Sequence, residues 1–94
     1  REFTALFAMS DVMAIGAIRA LRDAGKRVPE DVAVVGFDDS PICTMLEPEL
    51  TSVDNKLQAI CDHIVTTMLG VLDGKEMPQK TVFTGELVKR ASTR

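Results

Sequence analysis

Two rhythms alternate along the chain. Nearly continuous apolar runs at 3–9 (FTALFAM) and 32–36 (VAVVG) predict strands buried on both faces, and the shorter, β-branched LTSV at 50–53 predicts a third. Between the first two, Ala14, Ala17, Ile18 and Leu21 fall at i, i+3, i+4 and i+7, the signature of a helix with one apolar stripe. Ser10 supplies an N-cap oxygen, Asp11 suits the positive end of the helix dipole, Gly25 ends the helix and Pro29 blocks its continuation. Met13 and Ile15 widen the stripe, so this helix is apolar on more than one side. Strand, helix and strand together predict a βαβ unit with parallel pairing and a right-handed crossover.

A second helical repeat, Leu57, Ile60, Cys61, Ile64, Val65, Met68 and Leu72, follows Asn55. Asn55 as cap with Gln58 three residues later reads as a capping-box pair, and Gly74 closes the helix. His63 falls on the polar side of this repeat and reads as a solvated surface residue. The last run, TVFTGELVKR at 81–90, predicts an extended segment bent at Gly85. The fold class is therefore α/β, built on a parallel sheet.

Composition narrows the function classes. Ninety-four residues, 46% of them hydrophobic, suffice for one small domain or part of one. A net charge of −3 with scattered Lys and Arg leaves no basic stripe for gripping nucleic acid directly. No apolar run approaches the about 18 residues needed to span a bilayer, and REFTAL lacks a signal-peptide build, so a soluble, cytoplasmic protein with no membrane partner is expected. Cys43 and Cys61 with the single His63 form neither a disulfide scaffold nor a zinc ligand set, and no cofactor or metal is expected.

Candidate chemistry gathers at strand ends. In open α/β sheets the ligand crevice lies beyond the carboxyl ends of the strands. Ser10-Asp11 and Asp38-Asp39 both follow predicted strands, so parallel pairing brings them to one rim, where carboxylates can accept hydrogen bonds from vicinal hydroxyls of a sugar. Simpler roles stay open for each: Ser10 and Asp11 as helix caps, Asp39 as the start of a turn into Ser40-Pro41. A Mg²⁺ site for phosphoryl transfer at Asp38 and Asp39 lacks a placeable lysine and third carboxylate, and no nucleophile with its base can be assembled. The chain is not expected to be an enzyme.

TALFAMSDVMAIGAIRALRDAGKRVPEDVAVVGFDDSP, followed by EPELTSVDNKL and the terminal GELVKRAST, closely resembles the C-terminal part of the LacI-type transcriptional regulators. The resemblance covers nearly the whole chain and rests on four motifs in order. It implies a regulator with an N-terminal helix-turn-helix head, joined to a core of two Rossmann-like subdomains resembling periplasmic sugar-binding proteins, with an effector between them. This chain then corresponds to the last third of that core: residues 1–53 in the C-terminal subdomain, 54–74 a crossover helix packed on the other subdomain, and 75–94 a return segment. DNA would be bound only through the head, which lies outside these residues.

The resemblance also assigns roles. The family's strand-end Asn-Asp falls on Ser10-Asp11, with serine in place of the usual asparagine, and its GFD aspartate, a recurrent partner of effector hydroxyls, falls on Asp38. Asp54 and Asn55 come near the hinge and cleft, so the expected effector contacts are Asp38, Ser10, Asp11 and Asn55, with a sugar as the small-molecule effector. The family dimerises through the first helix and the loop after the aspartates, which implies a homodimer interface of Ile15, Ile18, Arg19, Arg22, Met45 and Leu46. A solute-binding protein of a sugar transport system is the alternative within the same fold. Without the other subdomain, Leu57, Ile60, Ile64 and Met68 of the crossover helix need another cover, such as self-association.

Overall fold

The computed structural model describes residues 2–94. β1 (Ala5–Phe7) leads into α1 (Asp11–Asp23), then β2 (Ala33–Phe37), a 3-10 turn (Pro41–Thr44), β3 (Thr51–Asp54), α2 (Leu57–Leu72) and β4 (Glu86–Val88). The four strands lie side by side in chain order, β1, β2 and β3 parallel and β4 antiparallel to β3. The βαβ unit is as the hydrophobic rhythm predicts. The first strand is shorter than the apolar run that announces it, because Met9 is 78% exposed beyond the sheet's end.

α1 starts where its sequence says. Ser10 is extended and its Oγ accepts the Met13 amide at 3.2 Å, satisfying one donor of the first turn. At the other end Gly25 takes φ +78°, a conformation that costs glycine nothing and other residues a clash at Cβ. The helix lays Ala14, Ile18 and Leu21 against Val32 and Val34 of the second strand segment, and Cys43 and Leu50 complete this core. Full burial of Leu50 or Val34 contributes about 1.5–3 kcal/mol each.

Among the described residues, a helix covers one face of the sheet and the other stays partly open. Val32, Val34 and Gly36 are buried under α1, while Ala33, Val35 and Phe37 on the opposite face are only partly covered. The expectation of a strand buried on both faces is thus corrected: α2 runs away from the sheet instead of returning to it. The radius of gyration, 17.4 Å, exceeds the about 12 Å of a compact chain of this length, and the molecule is 58 Å long. Ile64, Val65, Met68, Leu69 and Leu72 of α2 are consequently exposed. Sequence spacing marked Ile64, Val65, Met68 and Leu72 as one stripe, and among the described residues no other helix or strand packs over it.

The start of α2 also differs from the expected capping box. Lys56, at φ 61°, is the N-cap residue and uses no side-chain cap; its amide donates to Asp54 Oδ1 at 2.9 Å. Asn55 turns instead toward Asp38, and Gln58 donates to Asp62 one turn on. In the return segment only Glu86–Val88 pair as strand; residues 81–85 do not. Gly85 lies so close to β3 that an added Cβ would meet Val53 Cγ1 at 3.0 Å and the Asp54 carbonyl at 3.1 Å.

The chain's end is locked into the sheet. Ser92, fully buried, donates from Oγ to the Val34 carbonyl at 2.6 Å and accepts the Thr51 amide at 2.8 Å. Its backbone amide reaches Glu49 and its carbonyl accepts from Val34, so one residue pairs the groups left free beside β2 and β3.

Candidate functional site

The site grows from the turn after β2. Asp38 and Asp39 both adopt positive φ, 111° and 51°, where non-glycine residues carry strain of about 1–3 kcal/mol each. Such a turn persists only when its surroundings hold it. The Asp38 amide donates to the Val53 carbonyl at 2.9 Å, the Asp39 amide to Ser52 Oγ at 3.0 Å, and the Ser40 amide to Asp11 Oδ2 at 2.7 Å. Three successive amides are thereby fixed from β3 and from the first residue of α1.

Asp11 is the centre of that framework. It is 2% exposed, and besides the Ser40 amide its carboxylate accepts the Ser40 hydroxyl at 2.9 Å and the Ser52 hydroxyl at 2.6 Å. Burial pushes its carboxyl pKa up, but hydrogen bonds from Ser52, from the Ser40 amide and hydroxyl and from the Cys43 thiol outweigh this and hold it below the usual value. Gly36 makes room for it: a Cβ there would lie 2.3 Å from Asp11 Oδ1 and 3.0 Å from Leu50 Cδ2. The expected effector contact at Asp11 is corrected by this geometry, since its oxygens are committed to the protein's own donors.

Asp38 is different. Its carboxylate is exposed at the end of β2 and accepts the Asn55 side-chain amide at 3.0 Å. The two residues line two different clefts. On one side, a cleft of about 870 Å³ is lined by Asp38, Asp39, Ser40, Asp54, Lys56 and Asp62, among others. On the other, a cleft of about 830 Å³ is lined by Asn55 and Phe37, by the Ile64, Met68 and His63 face of α2, and by Phe83. His63 is therefore no solvated surface residue: its ring meets Phe83 edge-on, centroids 5.6 Å apart.

Of the residues expected at the effector site, Asp38 and Asn55 are the two brought into contact. Ser10 lines neither cleft, and its hydroxyl is engaged as the cap of α1. Asp39 pairs with Arg90, Nη1 to Oδ1 at 2.8 Å, with both side chains largely shielded from solvent. Among the described residues, no group of three or more His, Cys, Asp or Glu is placed to hold a metal ion. Ser52, Ser40, Gly36 and Arg90 were not picked out from sequence. A glycine inside a strand does signal close approach of another group, and Gly36 is such a case.

The residues expected at a dimer interface mostly meet on one surface. Ile15, Ile18, Arg19, Arg22 and Leu46 line a groove of about 250 Å³ between α1 and the loop after the 3-10 turn, and Arg22 donates to the Glu47 carbonyl. Met45 stands beside it, 76% exposed. Ile18 requires a correction: at 6% exposure it belongs to the core under α1 and offers little surface to a partner.

Comparison with known proteins places this geometry. Residues 2–93 match the periplasmic binding protein-like domain family. The HTH-type transcriptional regulator MalR of Streptomyces coelicolor is 47% identical over 94 residues, 99% of this chain and 27% of that protein. The structure of a transcriptional regulator CelR–cellobiose complex superposes with a TM-score of 0.90 at 38% identity, over 97% of this chain and 28% of the other. A LacI family transcriptional regulator from Arthrobacter sp. FB24, in complex with lactose, gives a TM-score of 0.84 at 35% identity, covering 99% and 36%. The chain spans about a quarter of the length of the curated relatives it matches, 26% to 28%.

Proposed function

From the premise that this chain belongs to the periplasmic-binding-protein-like core of the LacI-type transcriptional regulators, we propose that it is the effector-sensing and dimerising portion of such a regulator. The observation that carries the reading is Asp38: an exposed carboxylate at the end of a parallel strand, braced by Asn55 and opening on a cleft. Relatives solved in complex with cellobiose and with lactose support a sugar as the effector class. Residues 1–53 act as the body of one subdomain, 54–74 as the crossover helix of the other, and 75–94 as the return. The exposed stripe of α2 supports that division, since it is the face a second subdomain would cover.

In this reading the sugar binds one arrangement of the two subdomains better than the other. That difference shifts the DNA affinity of a head domain outside these residues. Asp38 accepts sugar hydroxyls while Asn55 keeps its carboxylate aimed. Calorimetric titration of the full-length protein with cellobiose and lactose tests the reading: binding by the wild type and its loss in Asp38→Ala are expected, and equal affinity in both removes Asp38 from the site. The groove of Ile15, Arg19, Arg22 and Leu46, with Met45 at its edge, serves as the homodimer surface. Arg22→Glu is expected to shift the full-length protein toward monomer in sedimentation velocity, and an unchanged dimer would move the interface elsewhere.

A further inference from the structure

The turn that presents Asp38 is anchored from a distant part of the chain. Arg90, two residues past β4, donates from Nη1 to the Leu50 carbonyl at 2.8 Å and stands in an ion pair with Asp39, Nη1 to Oδ1 at 2.8 Å, while its own amide donates to Thr51 Oγ1 at 2.7 Å. Its side chain is 17% exposed and that of Asp39 21%, so this pair is shielded where most surface pairs are not. Asp39 in turn is one of two consecutive residues at positive φ, and Asp38 is the other. A carboxylate at 39 held by a guanidinium fixed to β3 leaves the preceding residue little freedom to reorient.

We infer that Arg90 is a positioning residue, which, through its ion pair with Asp39, holds the turn that aims Asp38 at the cleft and ties that aim to the segment returning after α2. The inference rests on the reading of Asp38 as an effector contact. Its physical content is separable: the ion pair constrains the 38–40 turn whether or not a sugar is present. Because Arg90 lies on the return segment, a shift of that segment relative to β3 is transmitted to Asp38 without any contact between Arg90 and the ligand. Both contacts run through one guanidinium nitrogen, Nη1, so a lysine ammonium, a more strongly hydrated point charge on a different stem, replaces them only in part.

The test uses Arg90→Gln, Arg90→Lys, Asp39→Asn, the Arg90→Gln/Asp39→Asn double variant and Asp38→Ala in the full-length protein. Amide hydrogen exchange is read at Asp38, Asp39 and Ser40, with the Ala14 amide of α1 as the reference for global stability. Cellobiose and lactose affinities are measured in parallel. Arg90→Gln is expected to accelerate exchange at 38–40 relative to Ala14 and to weaken sugar binding by about tenfold, with Arg90→Lys intermediate. The double variant should be no worse than either single one, since both remove the same pair. Equal acceleration at Ala14 and the turn, or additive single effects, overturns the positioning role and leaves Arg90 a general stabiliser. If Asp38→Ala binds sugar like the wild type, the effector reading fails, and the exchange rates still decide the turn.

Discussion

Asp11 shows how a residue at the right place can carry a different task. Position beside a strand end suggested a ligand contact, yet the hydroxyls of Ser40 and Ser52 consume the carboxylate. Because folding holds its carboxyl below its ordinary value of 3.8, its ionised form contributes fully above about pH 4, and that contribution is lost as the pH falls through the lowered folded value. Stability is thus expected to decline on acidification below about pH 4. Asp11→Asn should flatten this decline and cost about 2–3 kcal/mol at neutral pH, both read from urea unfolding across pH. A wild-type pH profile no steeper than the variant's would contradict it.

The two cysteines divide in the same way. Burial, then the hydrogen bond to Asp11 and its negative charge, push the Cys43 thiol up to about 11, whereas Cys61 is exposed on α2. Iodoacetamide at pH 8 is expected to label Cys61 alone in the native protein and both cysteines in denaturant, as read by mass spectrometry. Native labelling of Cys43 would mean that its core opens readily. Sequence alone marked both as apolar residues and could not separate them, because the difference lies in which side of which element each occupies.

At the scale of elements, hydrophobic rhythm located β1, α1, β2, β3 and α2 to within a few residues. Caps did the same for α1, where Ser10 and Gly25 act locally. The rhythm failed where tertiary placement decides. Both Val34 and Val35 read as doubly buried, yet only Val34 lies under a helix. Asn55 read as a cap, but the nearby Asp38 carboxylate offers its side-chain amide a charged acceptor, and Lys56 takes the cap position. The stripe of α2 leaves an apolar surface that no other element among the described residues covers, so the 94-residue chain alone is expected to self-associate. Ile64→Ser with Met68→Ser should reduce that association in light scattering, while thermal unfolding of the sheet moves by no more than about 0.5 kcal/mol. Association unchanged by the pair would place the contact on another face.

The whole molecule is an elongated piece whose two ends do different work. The body under α1 fixes strand ends and turn, and α2 carries apolar surface away from it. Of the candidate site, Asp38 was legible because strand-end position and motif both pointed to it, whereas Asn55 was legible only through the resemblance, its spacing having marked it as a cap. Ser52, Ser40 and Arg90 were not, because their roles arise from contacts 13 or more residues away in sequence: Ser52 with Asp39, Ser40 with Asp11, and Arg90 with Asp39. In the proposed function, effector sensing turns on Asp38 as a sugar acceptor. Calorimetric titration of the full-length protein and its Asp38→Asn variant with cellobiose and lactose tests this most directly, because asparagine keeps the size and removes the charge. At least a tenfold loss of affinity, about 1.4 kcal/mol, is the predicted result. Identical affinities in the two proteins would contradict the account.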